Sequence, residues 1–305
     1  MTAPAPINRP AHWRVGPDRT LPLDRAIVMA ILNVTPDSFS DGGQFNSVDD
    51  VVEAARRAAR DGADMLDIGG ESTRPGAQRI AIEEQIRRVV PSIRAIREAG
   101  LDLPISVDTT RATVAQAALE AGADCINDVA AAQEDEDILA LAARARAGLI
   151  LMHRLRPPDA DVYSHAHKQP PAYAEGVVES VRRFLIDRRD AALAAGIPPE
   201  SIALDPGLGF GKSVAQNEEL IAATPAFAAL GHPLLSAASR KSFIGAATAV
   251  ESPSHRLHGS IAVSVAQRIL GANIFRVHDV REQVQALRMA DRIVGNRPAM
   301  GGWPQ

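Results

Sequence analysis

Short apolar runs alternate with longer amphipathic segments along most of the chain. The runs hold from three to eight apolar residues, and short runs of this kind are typical of strands buried on both faces. The segment from Val48 carries valines and alanines on one side, arginines largely on the other and acidic residues in its first turn, which predicts a helix packed on a sheet. The runs are AIVMAILNV from residue 26, ADMLDIGG from 63, LPISVDT from 103, ADCINDV from 123, LILMH from 149, SIALDPG from 201, HPLLSAAS from 232 and NIFRVHDV from 273. Further helices are predicted near 80–99, 111–121, 134–146, 174–195, 214–229, 257–270 and 280–294.

A glycine stands just ahead of seven of these eight runs. The seven are Gly62, Gly100, Gly122, Gly148, Gly196, Gly231 and Gly271. Such a glycine can end a helix in a left-handed cap before the chain turns back into the sheet. The repeated order of strand, helix and glycine predicts a parallel sheet, and eight strands favour a closed barrel. We therefore predict an α/β protein with a single (β/α)8 TIM barrel over residues 24–295, a short N-terminal arm over 1–23 and a tail over 296–305.

The composition narrows the classes of partner. The 305 residues are 46% hydrophobic but only 4% aromatic, which favours helices on a sheet over an aromatic-rich sandwich. A net charge of −4 argues against a general nucleic-acid binder, which is normally basic. One cysteine, Cys125, excludes an intrachain disulfide and favours a reducing compartment, so a cytoplasmic location is predicted. The N-terminal segment has no apolar run of the kind that a signal peptide carries, and the sequence has no 18-residue apolar run for a membrane span, so no membrane partner is expected.

Polar residues follow every one of the eight predicted strands. In a (β/α)8 barrel these strand ends form the face that carries the active site. The third, fourth and sixth strands end in acids and an amide, which suit a flat heterocycle with amide and amino edges. The seventh and eighth strands carry cations, where such barrels often hold phosphate. The first set is Asp108, Asn127 and Asp205, and the second is Lys241, Arg276 and His278. The pattern predicts a small-molecule substrate with a ring at one end and a phosphate group at the other.

Eight motifs in this order resemble those of the dihydropteroate synthase family. They are ILNVTPDSFSDGG, DIGGESTRPGA, ISVDTTRATVA, CINDV, LMH, LDPGLGFGKS, ASRKSFIGA and RVHDV, and they span residues 31–280. The resemblance implies a (β/α)8 barrel, usually a homodimer, that joins 6-hydroxymethyl-7,8-dihydropterin diphosphate to p-aminobenzoate with the help of Mg²⁺. It also implies a family that is the target of sulfonamides, which mimic p-aminobenzoate.

The resemblance assigns roles to residues of this chain. It implies that Asp108, Asn127, Asp205 and Lys241 bind the pterin, with Met152 lining the pocket, and that Arg276 and His278 bind the diphosphate. It implies that Thr73, Arg74, Pro75, Phe210 and Ser242 surround the p-aminobenzoate, and that Asn33 lies near Mg²⁺. Asp108, Lys241, Arg276 and His278 are the residues predicted to take part in catalysis. Residues 35–43 and 69–77 match two loops that close over the reacting groups in the family.

Two segments differ in sequence from the motifs that are usual in the family. The fourth motif continues as NDVAAAQED where family members often have NDVSG, and the fifth continues as MHRLRPPDADVYSHAHKQ. The second departure belongs to an irregular stretch over residues 154–172, which we predict to be a loop on one rim of the barrel.

The residues by themselves are also compatible with three other functions. A pterin-binding methyltransferase barrel would share the fold but would not need the cationic corner. A Schiff-base aldolase could use Lys241, and a barrel that has lost catalysis could bind pterin without turnover. The stretch LDPGLGFGKS also resembles a phosphate-binding P-loop, but Pro206 stands where the first glycine belongs. We therefore predict that Asp205 is its key residue and that Lys212 does not bind phosphate.

Overall fold

Eight parallel strands form a closed barrel in the computed structural model, which describes residues 10–34 and 47–296. The strands are β3 (Ile27–Asn33), β4 (Met65–Gly69), β5 (Ile105–Asp108), β6 (Cys125–Asp128), β7 (Gly148–Met152), β8 (Ile202–Asp205), β9 (Leu235–Ser236) and β10 (Ile274–Val277). They neighbour one another in chain order, and β10 pairs with β3 through Ile274 and Ile27. A parallel bridge between Leu204 and Leu234 joins β8 to β9 and completes the ring. The predicted α/β barrel and all eight predicted strands are confirmed.

Helices follow the strands on the outside of the barrel. They are α1 (Val48–Asp61), α2 (Ile82–Glu98), α3 (Ala112–Glu120), α4 (Asp137–Ala145), α5 (Gly176–Ala194), α6 (Val214–Ala222), α7 (Thr224–Ala228), α8 (Ser242–Thr248), α9 (Leu257–Leu270) and α10 (Val280–Gly295). The single helix predicted near 214–229 is wrong, because Pro225 cannot continue a helix and instead stands in the first turn of α7. The prediction also missed α8, whose seven residues are too few to show a helical period. No helix in the described part of the chain is long and apolar enough to cross a membrane.

Six of the seven predicted glycine stops have the left-handed backbone that the prediction requires. Gly62, for example, ends α1 at φ 97°, and its N–H donates to the carbonyl groups of the last turn. The prediction is wrong for Gly148, which is the first residue of β7. Helix α4 is instead ended by Arg146, at φ 52°. The reason for glycine at position 148 is close packing, because a Cβ there would lie 2.9 Å from the backbone of Val15.

An antiparallel hairpin covers the N-terminal end of the barrel, where the sequence predicted only a short arm. It consists of β1 (His12–Gly16) and β2 (Arg19–Pro22). Trp13 and Val15 are fully buried, and the Trp13 indole N–H donates to the carbonyl of Ser201 at 3.3 Å. Within the described residues, the hairpin thus closes the end of the barrel opposite to the carboxyl ends of the strands.

The barrel strands separate two apolar cores. Alternate residues of a strand point to opposite faces, so that Ile27 and Met29 point into the barrel while Val28 and Ala30 point toward the helices. The inner core contains the hairpin residues Trp13 and Val15, and its polar continuation toward the carboxyl ends forms the candidate site. The outer core packs the helices against the sheet.

Candidate active site

A cavity of about 330 Å³ opens at the carboxyl ends of the strands, the face where (β/α)8 barrels carry their sites. Nearly all the predicted site residues line it: Asn33, Thr73, Arg74, Pro75, Asn127, Met152, Asp205, Phe210, Lys241, Ser242, Arg276 and His278. Asp108 is the exception, because it lies behind this lining and borders a smaller adjoining pocket together with Thr73. The structure thus brings together predicted residues from seven separate segments of the chain around one cavity, with Asp108 of an eighth segment beside it. Residues 35–43, which match the first closing loop, lie outside the described part of the chain.

Arg276 connects two buried carboxylates at the floor of the cavity. Its Nε donates to Asp67 at 2.5 Å, and its Nη2 donates to Asp108 at 2.8 Å. The second oxygen of Asp108 is buried without a hydrogen-bond partner. Burial raises the pKa of Asp108 to about 7, although the charge of Arg276 acts in the opposite direction. The charge of Arg276 is therefore balanced in part by the protein, and by Asp67 more than by Asp108.

Asp67 is a site-forming residue that the sequence analysis did not assign. It is fully buried, and besides Arg276 it accepts hydrogen bonds from Ser106 at 2.5 Å and from the Asn127 amide at 3.3 Å. Two cavity-lining side chains, Asn127 and Arg276, are therefore oriented by one carboxylate. A signal for this role was present, because an acidic residue inside an apolar strand needs a buried partner, and Arg276 is likewise a charged residue inside an apolar strand.

Lys241 crosses the loop that follows β8. Its Nζ donates to the carbonyl of Leu208 and lies 4.2 Å from the centre of the Phe210 ring, within the range of a cation–π contact. Glycine at position 209 makes room, because a Cβ there would lie 2.9 Å from the Lys241 Cδ. Burial lowers the pKa of Lys241 to about 8, and the charge of Asp205 opposes that shift. At neutral pH the lysine therefore stays mostly cationic beside the wall that Asp205 forms.

His278 is buried among cations, and both features favour its neutral form. Burial, together with the charges of Arg240, Arg276 and other cations, lowers its pKa to about 3. Its Nδ1 is 3.0 Å from the Ser239 hydroxyl. His278 is predicted from the sequence to supply positive charge as well as donors. The lowered pKa favours a hydrogen bond over a charge as the contribution of this ring.

The loop from Asp205 to Ser213 is held from behind by a buried lysine. Lys212 is fully buried, and its Nζ donates to the carbonyl groups of Gly207 at 2.8 Å and Phe210 at 2.9 Å. It also lies 3.0 Å from Nδ1 of His153, whose pKa burial and the lysine charge lower to about 2. Lys212 is outside the cavity lining, and that it does not bind phosphate stays a prediction. Asp205 accepts the Gly207 N–H at 2.7 Å, which fixes its carboxylate at the cavity wall.

The irregular stretch 154–172 forms part of the cavity wall. It contains two short 3₁₀ helices, Pro158–Ala160 and Ser164–Ala166. The Ser164 N–H donates to the Ser242 hydroxyl at 3.2 Å, and Tyr163 lines the cavity. Sequence reasoning placed this stretch on a rim but missed Tyr163, because nothing in the local pattern tells which side chain of an irregular loop points inward.

A protein-only metal site is not formed by the described residues. No group of three His, Cys, Asp or Glu side chains in residues 10–34 and 47–296 could hold a metal ion. Asn33, the last residue of β3, lines the cavity and offers an amide oxygen. Mg²⁺ usually keeps several waters and binds through one or two protein groups plus substrate phosphates. The residues present therefore fit an ion that is held mainly by a bound diphosphate and water.

Comparison with known proteins agrees with this geometry. The family model for the pterin binding enzyme matches residues 29–278. A dihydropteroate synthase from Synechocystis is 43% identical over 269 residues, which cover 88% of this chain and 90% of the relative. One from Clostridium beijerinckii is 41% identical over 272 residues, covering 89% of this chain and 95% of the relative. A solved Xanthomonas albilineans dihydropteroate synthase with 4-aminobenzoic acid matches with a TM-score of 0.83 and 43% identity, over 94% of this chain and 99% of that chain. The chain therefore belongs to the pterin-binding enzyme family, and its relatives place it among the dihydropteroate synthases of that family.

Proposed function

We propose that this chain condenses 6-hydroxymethyl-7,8-dihydropterin diphosphate with p-aminobenzoate, giving 7,8-dihydropteroate and pyrophosphate. The observation that carries the proposal is one cavity whose lining joins an acid and amide wall to a cationic corner. Asp205 and Asn127 belong to the wall, and Lys241 and Arg276 belong to the corner. A substrate with a polar heterocycle at one end and a diphosphate at the other matches both. The relatives favour this reaction over the methyltransferase alternative, because they are dihydropteroate synthases.

The acid and amide wall would bind the pterin. Asp205 is almost fully buried, and its carboxylate can accept two parallel N–H bonds from an amino-pyrimidine edge. Asn127 is held by Asp67 and offers its amide oxygen to the ring. Met152 supplies an apolar surface beside them. These side chains are fixed before substrate arrives, so little ordering is left to the moment of binding.

The cationic corner would stabilise the leaving diphosphate. Lys241 lines the cavity and would contact both the ring and the phosphates. Arg276 donates through Nε and Nη2 to protein carboxylates, which leaves Nη1 for a phosphate oxygen. His278 would donate a hydrogen bond. Charge that develops on the departing oxygen is thus met by donors already in place, which is the main way in which a rigid site lowers such a barrier.

Mg²⁺ would be shared between the diphosphate and Asn33. When bound, the ion would neutralise part of the charge of the leaving group. The chain's own contribution is to present the Asn33 amide oxygen at the end of β3.

The second substrate would lie on the side of the cavity formed by Phe210, Pro75 and Ser242. The amine of p-aminobenzoate is unprotonated at neutral pH, so it needs orientation more than a base. The reaction forms a C–N bond at the pterin methylene carbon and breaks the C–O bond to the diphosphate, which leaves as pyrophosphate, while the amine nitrogen releases one proton to water. Electrons of the pterin ring can stabilise positive charge on that carbon, so we propose a dissociative substitution in which no protein nucleophile takes part.

The test is a direct assay. The purified protein is incubated with Mg²⁺, the pterin diphosphate and labelled p-aminobenzoate, and labelled dihydropteroate is sought by chromatography. Lys241→Ala and Arg276→Ala are each expected to lower kcat/KM about a hundredfold or more. Binding of the pterin diphosphate without any product would support a non-catalytic pterin-binding barrel instead. Unchanged kcat/KM in both variants would overturn the assignment of the cationic corner.

We also propose a homodimer in the cytoplasm. The family resemblance supports the dimer, and the single buried Cys125 is consistent with a reducing compartment. Sedimentation of the purified protein at micromolar concentration tests the dimer.

A further inference from the structure

One carboxylate, that of Glu134, joins three segments of the chain beside the cavity. Its Oε2 accepts from Nη1 of Arg79 at 2.7 Å and from the hydroxyl of Thr110 at 2.7 Å. Its Oε1 accepts from Nη2 of Arg79 and from Nη2 of Arg154. We call these four residues the Glu134 cluster. Both oxygens are therefore used, and two guanidinium groups share a single negative charge.

The Glu134 cluster joins the two segments whose sequences differ from those usual in the family. Glu134 lies in the segment NDVAAAQED, and Arg154 is the first residue of the stretch 154–172. Arg79 comes from the loop 70–81, which follows β4. The departures are far apart in sequence but meet at one carboxylate, so they form a single structural feature.

The loop 70–81 carries cavity-lining residues and rests on the stretch 154–172. Thr73, Arg74 and Pro75 line the cavity. The Gly76 N–H donates to the carbonyl of Pro158 at 2.8 Å, which is a second contact between the same two segments. Within the loop, the Ile80 N–H donates to the Glu71 carboxylate at 2.8 Å. The Glu134 cluster thus fastens the end of the loop while Pro158 supports its middle.

The contact between the loop 70–81 and the stretch 154–172 depends on the negative charge of the Glu134 carboxylate. The side chains of Glu134 and Arg154 are 17% and 7% exposed, so water screens them only in part. Burial acts to raise the pKa of Glu134, but Arg79, Thr110 and Arg154 lower it to about 2 overall, and the carboxylate stays ionised. Without that charge, Arg79 and Arg154 would repel each other. Arg79 is the more exposed of the two arginines, so the loop that carries it would be the part that moves away.

We propose that Glu134 is a positioning residue for the second substrate, a statement that rests on the proposed function. Through Arg79 and Arg154 it holds the loop 70–81 against the stretch 154–172, and it thereby sets where Arg74 and Pro75 stand around p-aminobenzoate. The pterin wall of Asp205 and Asn127 has its own contacts and does not depend on this attachment.

Glu134→Gln tests the proposal, because it removes the charge and keeps the shape. Hydrogen–deuterium exchange is expected to become faster at the amides of Gly76 and Ile80 and to stay unchanged in α1. The KM for p-aminobenzoate is expected to rise about threefold to thirtyfold, with kcat and the KM for the pterin diphosphate little changed. Glu134→Asp should recover part of the KM. Glu179→Gln is the matched control, since it removes an ion pair with Arg182 on the outer surface of α5 and should change neither measurement.

The two readouts separate this proposal from the proposed function. Unchanged exchange in the loop 70–81 of Glu134→Gln would overturn the proposal whether or not the protein makes dihydropteroate. An equal rise of both KM values would also overturn it, because that pattern would mean a general loss of structure. If the wild-type protein forms no product while the loop exchanges faster in Glu134→Gln, the attachment stands and the proposed function fails.

Discussion

Arg276 donates from Nε to the carboxylate of Asp67 across 2.5 Å inside the barrel. The two residues stand on β10 and β4, two strands that do not pair with each other because β3 lies between them. Asp67 also holds the amide of Asn127 from β6. One buried carboxylate thus links the cationic corner of the cavity to its acid and amide wall, and the spacing of the two regions depends on it.

Asp67→Asn is expected to lower kcat/KM about tenfold to a hundredfold, because Arg276 and Asn127 lose the anion that orients them. The free energy of unfolding should fall by about 3 kcal/mol, since part of a buried guanidinium charge loses its partner. Steady-state kinetics and urea unfolding measure the two effects.

Asp124→Asn is the matched control for that variant. Asp124 pairs with Arg97 and Arg19 near the other end of the barrel. The control should lose stability and keep its kcat/KM. Loss of activity in both variants to the same degree would show that instability, and not the orientation of Arg276, explains the result.

Lys212→Met should loosen the loop that carries Phe210 while leaving the cavity lining chemically intact. Methionine fills the space of the lysine stem but cannot donate to the carbonyl groups of Gly207 and Phe210. We expect the KM for p-aminobenzoate to rise about tenfold, which corresponds to two lost hydrogen bonds of ordinary strength. Isothermal titration with p-aminobenzoate in the presence of pyrophosphate and pterin checks the same effect without turnover. An unchanged affinity would mean that the glycines alone define the loop.

His153 should make the fold sensitive to acid. Burial lowers its pKa to about 2, whereas the unfolded chain takes up the proton near 6.5. Between these values the unfolded state binds a proton that the native state does not, so this group makes stability fall as the pH falls. The wild type should lose about 1.4 kcal/mol per pH unit relative to His153→Gln between pH 6 and pH 4. Urea unfolding at several pH values measures the difference, and a constant difference would contradict the prediction.

Gly148→Ala should destabilise the protein without harming the cavity. A Cβ at this position would lie 2.9 Å from the backbone of Val15, so the hairpin would have to move. Overpacking of this kind costs about 1–3 kcal/mol. The kcat/KM at 25 °C should be unchanged, because the hairpin covers the opposite end of the barrel. A variant as stable as the wild type would show that the hairpin is not closely packed at this point.

Most of the architecture could be predicted from local pattern. Strands buried on both faces must be continuously apolar, and the helices between them must show a 3.6-residue period, so both signals are present in short windows of sequence. The errors have local causes too. Pro225 divides a predicted helix, α8 is too short to show a period, and the hairpin has one polar face and few residues.

The sequence predicted which residues lie at the rim of the barrel, but not which of them contact one another. Strand ends identify Asp108, Asn127 and Asp205 because the carboxyl ends of parallel strands meet at one face of a barrel. The sequence does not tell which acid meets which cation. Asp67 as the partner of Arg276, Tyr163 in the cavity wall and the Glu134 cluster all depend on contacts between residues far apart in the chain.

The sequence by itself determined the barrel, the alternation of its strands and helices and the family to which the chain belongs. These properties follow from periodicity and from motifs that are each contained in a few consecutive residues. Only the tertiary structure decided the lowered pKa of His278, the burial of Lys212 behind its loop and the pairing of Arg276 with two carboxylates. Burial and the distance between charges set those properties, and neither quantity exists until the strands have closed into a ring.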